Sequence, residues 1–143
     1  MQKIKSEAEL VALGESLGKK LFSMQFPVVL ELVGDVGAGK TTLTRGIARG
    51  LGVKETITSP SFSISKRYDI PASGKFSGGE LVHYDFYRLD EPGIMKDELM
   101  ETLEQKNTVV VIEWGESVRG VLPKNAKKIE ILYSEDGGRE IKL

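Results

Sequence analysis

A chain of 143 residues, 40% apolar and 29% charged, has the length and composition of one globular domain, which we expect to span residues 1–143. No apolar stretch approaches the ~18 residues of a membrane span, and acidic residues interrupt the first candidate leader, so we expect a cytoplasmic protein without membrane contacts. The lack of cysteine and a single histidine, His83, exclude disulfides, thiol nucleophiles and most zinc sites. A net charge of −1 argues against independent binding to nucleic acid.

The N-terminal third of the sequence predicts a helix, a strand and a second helix. An S-x-x-E capping box at residues 6–9 predicts that a helix begins at about Glu7. The β-branched run at 28–33 predicts a buried strand in spite of Glu31, and the pattern at 41–51 predicts the second helix. We expect the first helix to cover the sheet with one apolar face, formed by Leu10, Leu13, Leu17 and Leu21.

The middle of the sequence predicts two strands and a third helix. Within 57–68, a turn is predicted at 58–61 and a strand after it, suggested by Phe62, Ile64 and Tyr68. The glycines, serines and proline of 69–79 favour a mobile loop or a hairpin tip. A second strand is predicted at 81–85, and a helix from about 92 to 105. The predicted apolar face of this helix consists of Met95, Leu99, Met100 and Leu103.

The C-terminal third predicts the centre and one edge of a sheet. Residues 108–112 are apolar on both faces, which is typical of a central parallel strand with helices on each side. Two alternating segments, 128–133 and 139–143, flank a glycine-containing turn and predict a closing hairpin. The predicted fold class is therefore α/β, with a mostly parallel central sheet flanked by helices and a C-terminal β-hairpin.

Residues 34–41 read GDVGAGKT and match the phosphate-binding motif G-x-x-x-x-G-K-[ST] at every fixed position. The motif lies between a predicted strand and a predicted helix, where backbone N–H groups and the helix N-terminus surround phosphate oxygens. Lys40 reaches the outer phosphates and is a catalytic candidate, and Thr41 is a candidate magnesium ligand. The sequence thus predicts a single-domain P-loop NTPase. Its predicted nucleotide-binding residues are Gly34, Asp35, Val36, Gly37, Ala38, Gly39, Lys40, Thr41 and Thr42.

Two acidic residues qualify as the carboxylate that a magnesium nucleotide site needs at the end of a neighbouring strand. Glu113 follows the more buried strand and is favoured as the magnesium-side carboxylate, acting directly or through a water. Asp85 is then the catalytic candidate that orients or deprotonates the attacking water, although the two roles could be exchanged. The alternative for Asp85 is a structural one, a strand cap or a partner of Arg88. His83 shares a strand face with Asp85 and is expected to be a structural hydrogen-bonding group rather than a proton carrier.

The absence of two sequence features helps to choose the nucleotide and the class of reaction. The GTP-specifying motif N/T-K-x-D is absent, which favours ATP. Small-molecule kinases close an arginine-bearing lid over the phosphates, whereas residues 69–79 contain no arginine and one lysine. Three functions stay open: an ATPase whose hydrolysis changes partner affinity, a nucleotide-dependent binding module with incidental turnover and, with least support, a small-molecule kinase.

Four motifs in this order resemble the TsaE (YjeE) family over nearly the whole chain. They are the P-loop GDVGAGKTTLTRGIARGLG, the segment TSPSF at 58–62, HYDFYRL at 83–89 and IEWGE at 112–116. The chain departs from the family pattern twice. Ser61 stands where the family usually has threonine, and Gly115 stands where it usually has proline.

The resemblance implies a weak ATPase that serves threonylcarbamoyl modification of adenosine 37 in ANN-decoding tRNAs. It would act on a partner pair, TsaD and TsaB, of which TsaD carries the transfer chemistry, and would meet tRNA only through that complex. The cofactors implied are ATP and Mg²⁺, with the first helix beside the adenine.

The resemblance also assigns roles to individual residues. It implies that Lys40 and Thr41 contact the phosphates and magnesium, that Glu113 lies at the magnesium and that Asp85 lies near the γ-phosphate. It further implies a nucleotide-sensing switch loop at 58–62, and its candidate switch residues are Thr58, Ser59, Pro60 and Ser61.

Overall fold

The computed structural model describes residues 2–60, 65–87 and 93–143. In chain order their elements are β1 Gln2–Ile4, α1 Glu7–Leu21, β2 Val28–Val33, α2 Lys40–Gly50, β3 Ser65–Ile70, β4 Gly79–Asp85, α3 Ile94–Leu103, β5 Thr108–Glu113, a 3-10 helix Gly115–Val121, β6 Lys127–Tyr133 and β7 Arg139–Lys142. The strands of the described residues form one seven-stranded sheet in the order β1-β7-β6-β2-β5-β4-β3.

The sheet is mixed, with a parallel centre and antiparallel edges. Strand β2 runs parallel to β5 and β6, and β4 runs parallel to β5, as predicted for the centre of the sheet. The C-terminal hairpin of β6 and β7 is confirmed, and the unpredicted strand β1 adds to its outer edge. Strands β3 and β4 form an antiparallel hairpin, so of the two alternatives for 69–79 the hairpin tip is confirmed, within the shorter range 71–78. Parallel strands end at the same edge, so the residues that follow β2, β4 and β5 lie close together.

Helices cover both faces of the sheet, as the apolar strand β5 predicted. Val109 and Val111 pack into a cluster that contains Leu43 and Ile47 of α2. The alternate residues Val110 and Ile112 belong to a second cluster, which also contains Leu99 and Val118 from α3 and the 3-10 helix. This arrangement explains why β5 lacks a polar face, because each of its residues is buried.

The buried acidic residue of β2 has a partner on the second face of the sheet. Glu31 accepts a hydrogen bond of 2.6 Å from Arg119 Nη2 and longer ones from its Nε. Arg119 belongs to the 3-10 helix, which the sequence analysis did not predict. The ion pair compensates the carboxylate of Glu31 for its lost hydration and attaches the 3-10 helix to the sheet.

Helix α1 makes its closest contacts with α2, and its predicted apolar face joins the buried cluster that also contains residues of β2, β5 and β6. Gly14 and Gly18 of α1 face Gly46 and Gly50 of α2, and the backbones approach so closely that added side chains would collide. A Cβ atom at Gly46 would lie 2.3 Å from the carbonyl oxygen of Val11. The leucine spacing revealed the buried face of α1, but the contact itself is made by glycines four residues apart.

We expect Gly46→Ala to destabilise the protein by roughly 2 kcal/mol or more, because the added methyl group pushes against backbone. The expected sign is informative, since alanine in an open helix is favoured over glycine by about 1 kcal/mol. The matched control is Gly120→Ala, where a Cβ meets no atom within 4 Å. Urea unfolding of both variants measures the difference, and equal stabilities would contradict the close packing of α1 on α2.

One local prediction agrees with the structure except at its end, and two others differ from it. The strand predicted after the turn at 58–61 is confirmed over its described part, Ser65–Ile70, which runs two residues into the segment predicted as a loop. Met100 is 46% exposed, because it lies one residue beyond the buried Leu99 and therefore on another side of α3. The capping box forms only in part, since Ser6 Oγ accepts from the N–H of Glu9 while the Glu9 carboxylate accepts from the N–H of Lys5.

Candidate functional site

The loop between β2 and α2 has a backbone that only glycine adopts easily. Gly37 has a φ of 79° and Gly39 a φ of 115°, both in the region that side chains disfavour. A Cβ at Gly39 would also lie 2.5 Å from Leu10 Cδ2 of α1. The glycines of the motif are therefore required by the backbone of this loop and by the close approach of α1.

Two side chains of the C-terminal hairpin donate hydrogen bonds to backbone carbonyl groups of the same loop. Arg139 Nε donates to Ala38 O over 2.9 Å, and Tyr133 Oη donates to Val36 O over 3.1 Å. The Arg139 guanidinium also lies over the Tyr133 ring, 4.2 Å from its centroid. Neither residue was among the predicted site residues, since an alternating hairpin carries no signal that two of its side chains reach a distant loop.

Lys40 begins α2 and folds back over the loop that precedes it. Its Nζ donates to Gly34 O over 2.5 Å and to Asp35 O over 3.0 Å, and it lies 4.2 Å from the centroid of the Trp114 ring. Burial lowers the pKa of Lys40, while the nearby carboxylates of Glu113 and Asp85 oppose the shift. The ammonium group is therefore held at the place where the glycine loop, an aromatic ring and two acidic groups meet.

Glu113 ends β5 and is connected to two other elements. Its Oε2 accepts a hydrogen bond of 3.2 Å from Thr41 Oγ1, in the first turn of α2. The same oxygen lies 2.5 Å from His83 Nε2 on β4. Glu113 is 3% exposed and His83 is fully buried. The structure thus brings Thr41 and Glu113 together as predicted, and it gives His83 the hydrogen-bonding position that was favoured for it.

Asp85 ends β4 beside Glu113, its register partner on β5. Its Oδ1 accepts a hydrogen bond of 2.9 Å from the N–H of Tyr87. Burial raises the pKa of Asp85, and the negative charge of Glu113 adds to the effect, whereas the Tyr87 N–H and the cationic Lys40 oppose it. The alternative partner, Arg88, lies outside the described residues. A half-buried carboxylate with a raised pKa is a better proton acceptor than an exposed one.

These residues line one cavity of about 330 Å³, next to a second of similar volume. The ring of Tyr87 packs against that of Trp114 with centroids 4.7 Å apart and forms one wall of the first cavity. That cavity is lined by Val36, Gly37, Gly39, Lys40, Thr41, Thr42, Asp85, Tyr87, Glu113 and Trp114. The second cavity lies across the glycine loop, between the start of α1 and the turn that precedes Arg139.

The donor set fits a magnesium ion that shares its coordination with phosphate. In the described ranges no group of three or more acidic or histidine side chains forms a complete metal site. Thr41 Oγ1 and the carboxylates of Glu113 and Asp85 nevertheless line one cavity. Magnesium in nucleotide sites is bound by one or two protein oxygens and completes its shell with phosphate and water. The incomplete protein site is therefore the kind that this ion uses.

Three of the four candidate switch residues are described, and none of the three lines this cavity. Thr58 Oγ1 accepts a hydrogen bond of 2.8 Å from Lys66 Nζ, and its N–H donates to Tyr68 Oη over 3.5 Å. Ser59 is exposed and Pro60 is buried, and neither lines the cavity. Ser61 lies outside the described residues. The switch role stays a prediction.

The fold and the cavity define an α/β protein in which a glycine-rich loop, the helix that follows it and two strand-end carboxylates meet at one edge of a sheet. A family model described as "Threonylcarbamoyl adenosine biosynthesis protein TsaE" matches residues 4–141. The chain belongs to the TsaE family.

Individual relatives agree with this assignment. The chain is 31% identical over 144 residues to the tRNA threonylcarbamoyladenosine biosynthesis protein TsaE of Haemophilus influenzae, an alignment that covers 99% of this chain and 87% of that protein. It is 36% identical over 113 residues to the TsaE protein of Bacillus subtilis, with coverages of 79% and 66%. The crystal structure of Bacillus subtilis YdiB superposes with a TM-score of 0.71 at 31% identity, covering 98% of this chain and 80% of that one. The family predicted from the four motifs is confirmed.

No helix in the described ranges combines the length and the apolar composition that crossing a bilayer requires.

Proposed function

We propose that this protein is a magnesium-dependent ATPase of tRNA threonylcarbamoyladenosine biosynthesis. The observation that carries the proposal is the single cavity lined by Lys40, Thr41, Asp85 and Glu113 together with the glycine loop. A loop with this sequence, followed directly by a helix N-terminus, is suited to bind phosphate groups. The match to the family model supports the assignment to threonylcarbamoyl adenosine biosynthesis.

Each residue of the cavity has a separate task in the proposed hydrolysis. Bound magnesium would neutralise developing charge on the phosphates. Lys40 exchanges its two loop carbonyls for phosphate oxygens, which gain more from a cation than neutral carbonyls do. Asp85 orients the attacking water and accepts its proton, as its raised pKa favours. Glu113 accepts a hydrogen bond from the Thr41 hydroxyl and so directs the oxygen lone pairs of Thr41 into the cavity.

The two adjoining cavities support a nucleotide that crosses the loop. Gly37, Gly39 and Thr42 line both of them, so a ligand with phosphates in one cavity has space for its base in the other. The start of α1 borders the second cavity, in agreement with the position implied for the adenine. We favour ATP over GTP because the guanine-specifying motif is absent.

We further propose that hydrolysis acts on protein partners rather than on a small acceptor. The partners that the family resemblance implies are TsaD and TsaB, and tRNA would be met only through their complex. A net charge of −1 agrees with an indirect contact to RNA. The hairpin tip at 71–78 holds Lys75 but no arginine, which gives little support to a small-molecule kinase.

The switch proposal concerns how the nucleotide state would reach a partner. The segment at 58–60 is attached to β3 by the contacts of Thr58 with Lys66 and Tyr68. One of these is an exposed hydrogen bond between side chains, which contributes little stability and is readily exchanged. We propose that binding and loss of the γ-phosphate shift this segment between two positions.

ATP hydrolysis by the purified protein tests the proposed function. We expect slow release of phosphate from ATP in the presence of Mg²⁺, none when EDTA replaces the metal, and a faster rate when TsaD and TsaB are added. A small-molecule kinase would instead require a phosphate acceptor for turnover. Lack of ATP binding by titration calorimetry would overturn the proposal, whereas tight binding without hydrolysis would favour a nucleotide-dependent binding module.

A further inference from the structure

A buried chain of hydrogen bonds runs from β4 through β5 to the first turn of α2. His83 Nε2 and Thr41 Oγ1 both bind Oε2 of Glu113, at 2.5 Å and 3.2 Å. With both donors on one oxygen, Oε1 of Glu113 accepts no hydrogen bond from the described residues. Because His83 is fully buried and Glu113 nearly so, bulk water does not compete for these contacts.

The contacts of the imidazole show which ring nitrogen carries a hydrogen. A carboxylate oxygen is an acceptor, so the hydrogen of the His83–Glu113 bond belongs to Nε2 of His83. His83 Nδ1 is buried without a hydrogen-bond partner among the described residues. A proton on Nδ1 would therefore bury an N–H group without an acceptor. The hydrogen bond to Glu113 therefore places a hydrogen on Nε2 of His83.

His83 does not touch the space in which a nucleotide would bind. The residues lining the phosphate cavity include its neighbours in the chain of hydrogen bonds, Glu113 and Thr41, but not His83 itself. The hydrogen bond to Glu113 is the direct contact that connects the imidazole to the lining of that cavity.

The geometry at Thr41 explains why the position of Glu113 matters. A hydroxyl group has one hydrogen to donate, and Thr41 donates it in the hydrogen bond to Glu113. The lone pairs of Oγ1 are therefore left for a cation. The direction of these lone pairs depends on where Oε2 of Glu113 lies. Side chains behind a metal ligand commonly orient it in this manner, and their loss weakens metal binding.

We propose that His83 is a positioning residue: it fixes Oε2 of Glu113 and thereby orients the Thr41 hydroxyl for magnesium. This inference rests on the proposed nucleotide site, because the metal arrives there with the phosphates. It differs from the role of His83 as a simple core residue, since the contribution of His83 depends on one N–H group at the place that Nε2 occupies.

Replacing His83 by glutamine or by asparagine separates the effect of where the N–H group lies from the effect of side-chain polarity. In His83→Gln the side-chain NH₂ reaches about as far from the backbone as Nε2 of histidine and donates to the same Glu113 oxygen. In His83→Asn an equally polar NH₂ ends near the place of Nδ1 and does not reach Glu113. Thermal unfolding of both variants measures any general loss of stability separately from the metal effect.

The first measurement is the ratio of ATP affinities with Mg²⁺ and with EDTA, by titration calorimetry. We expect His83→Asn to lower this ratio by ~10-fold and His83→Gln to keep it near that of the wild type. Affinity in EDTA should be similar in all three proteins. An unchanged ratio in His83→Asn, or equal losses in both variants, would overturn the positioning role. Failure of the wild type to bind ATP would instead overturn the proposed function.

The second measurement needs no nucleotide and applies even if His83→Asn does not fold. The chain has one histidine, so the imidazole nitrogen signals of ¹⁵N-labelled wild-type protein belong to His83 without further assignment. We expect them to show a proton on Nε2. A proton on Nδ1 with Nε2 unprotonated would contradict the bond to Glu113 and overturn the inference.

Discussion

Lys40→Met is expected to lower magnesium-dependent ATP hydrolysis by ~100-fold or more, the scale seen when one charge-stabilising group is removed from a reaction centre. The expected cause is the loss of the only cation among the side chains that line the described cavity. Methionine keeps the aliphatic stem that packs near Trp114, so the shape of the cavity changes little. Phosphate release and ATP affinity are measured on the same protein preparation.

The stability of this variant distinguishes a functional lysine from a structural one. Burial lowers the pKa of Lys40, so the charged lysine destabilises the folded state at pH values below its folded pKa, and this penalty fades as the pH rises to the unfolded value. Methionine removes the penalty together with the bonds to Gly34 and Asp35, and we expect an unfolding temperature close to that of the wild type. Lys124→Met, at an exposed turn, is the matched control. Near-normal hydrolysis by a folded Lys40→Met protein would refute the phosphate-binding assignment.

Patterns within one segment were sufficient to predict most elements of the fold. The alternation of β6 and β7 predicted their hairpin, and the unbroken apolar run of β5 predicted a strand buried on both faces. The outer strand β1 escaped notice because it has three residues and is defined only by its pairing with β7. The packing of α1 on α2 depends on small residues, which an analysis of apolar periodicity does not weigh.

Some residues of the candidate site could likewise be predicted from short motifs, whereas others come from distant parts of the chain. The loop sequence made Lys40 and Thr41 candidates, and strand ends made Asp85 and Glu113 candidates, because these signals lie in short stretches of chain. The structure places all four in the lining of one cavity. Arg139 reaches the loop from 101 residues away, and no local pattern indicates that contact. Pairings of this kind are decided by the order of strands in the sheet, which places β6 next to β2 and β7 on the far side of β6.

We expect Glu113→Gln to bind ATP in EDTA about as well as the wild type and to lose ~100-fold or more of its magnesium-dependent hydrolysis. The amide oxygen can still accept the hydrogen bonds from His83 and Thr41, so the interior contacts and the fold are retained. The amide NH₂ then takes the place of Oε1 and presents a donor where a cation needs a carboxylate. Glu101→Gln, an exposed position on α3, is the matched control for the loss of one negative charge.

The same variant separates an ATPase from a nucleotide-dependent binding module. In a reconstituted threonylcarbamoylation reaction with TsaD and TsaB, an ATPase that resets its partners by hydrolysis requires turnover, so Glu113→Gln should support a single round of modification. Repeated rounds at the wild-type rate would show that the ATP-bound form alone is sufficient. Equal losses of EDTA affinity and of hydrolysis would show that Glu113 supports the loop structure, because a group needed only for magnesium does not affect metal-free binding.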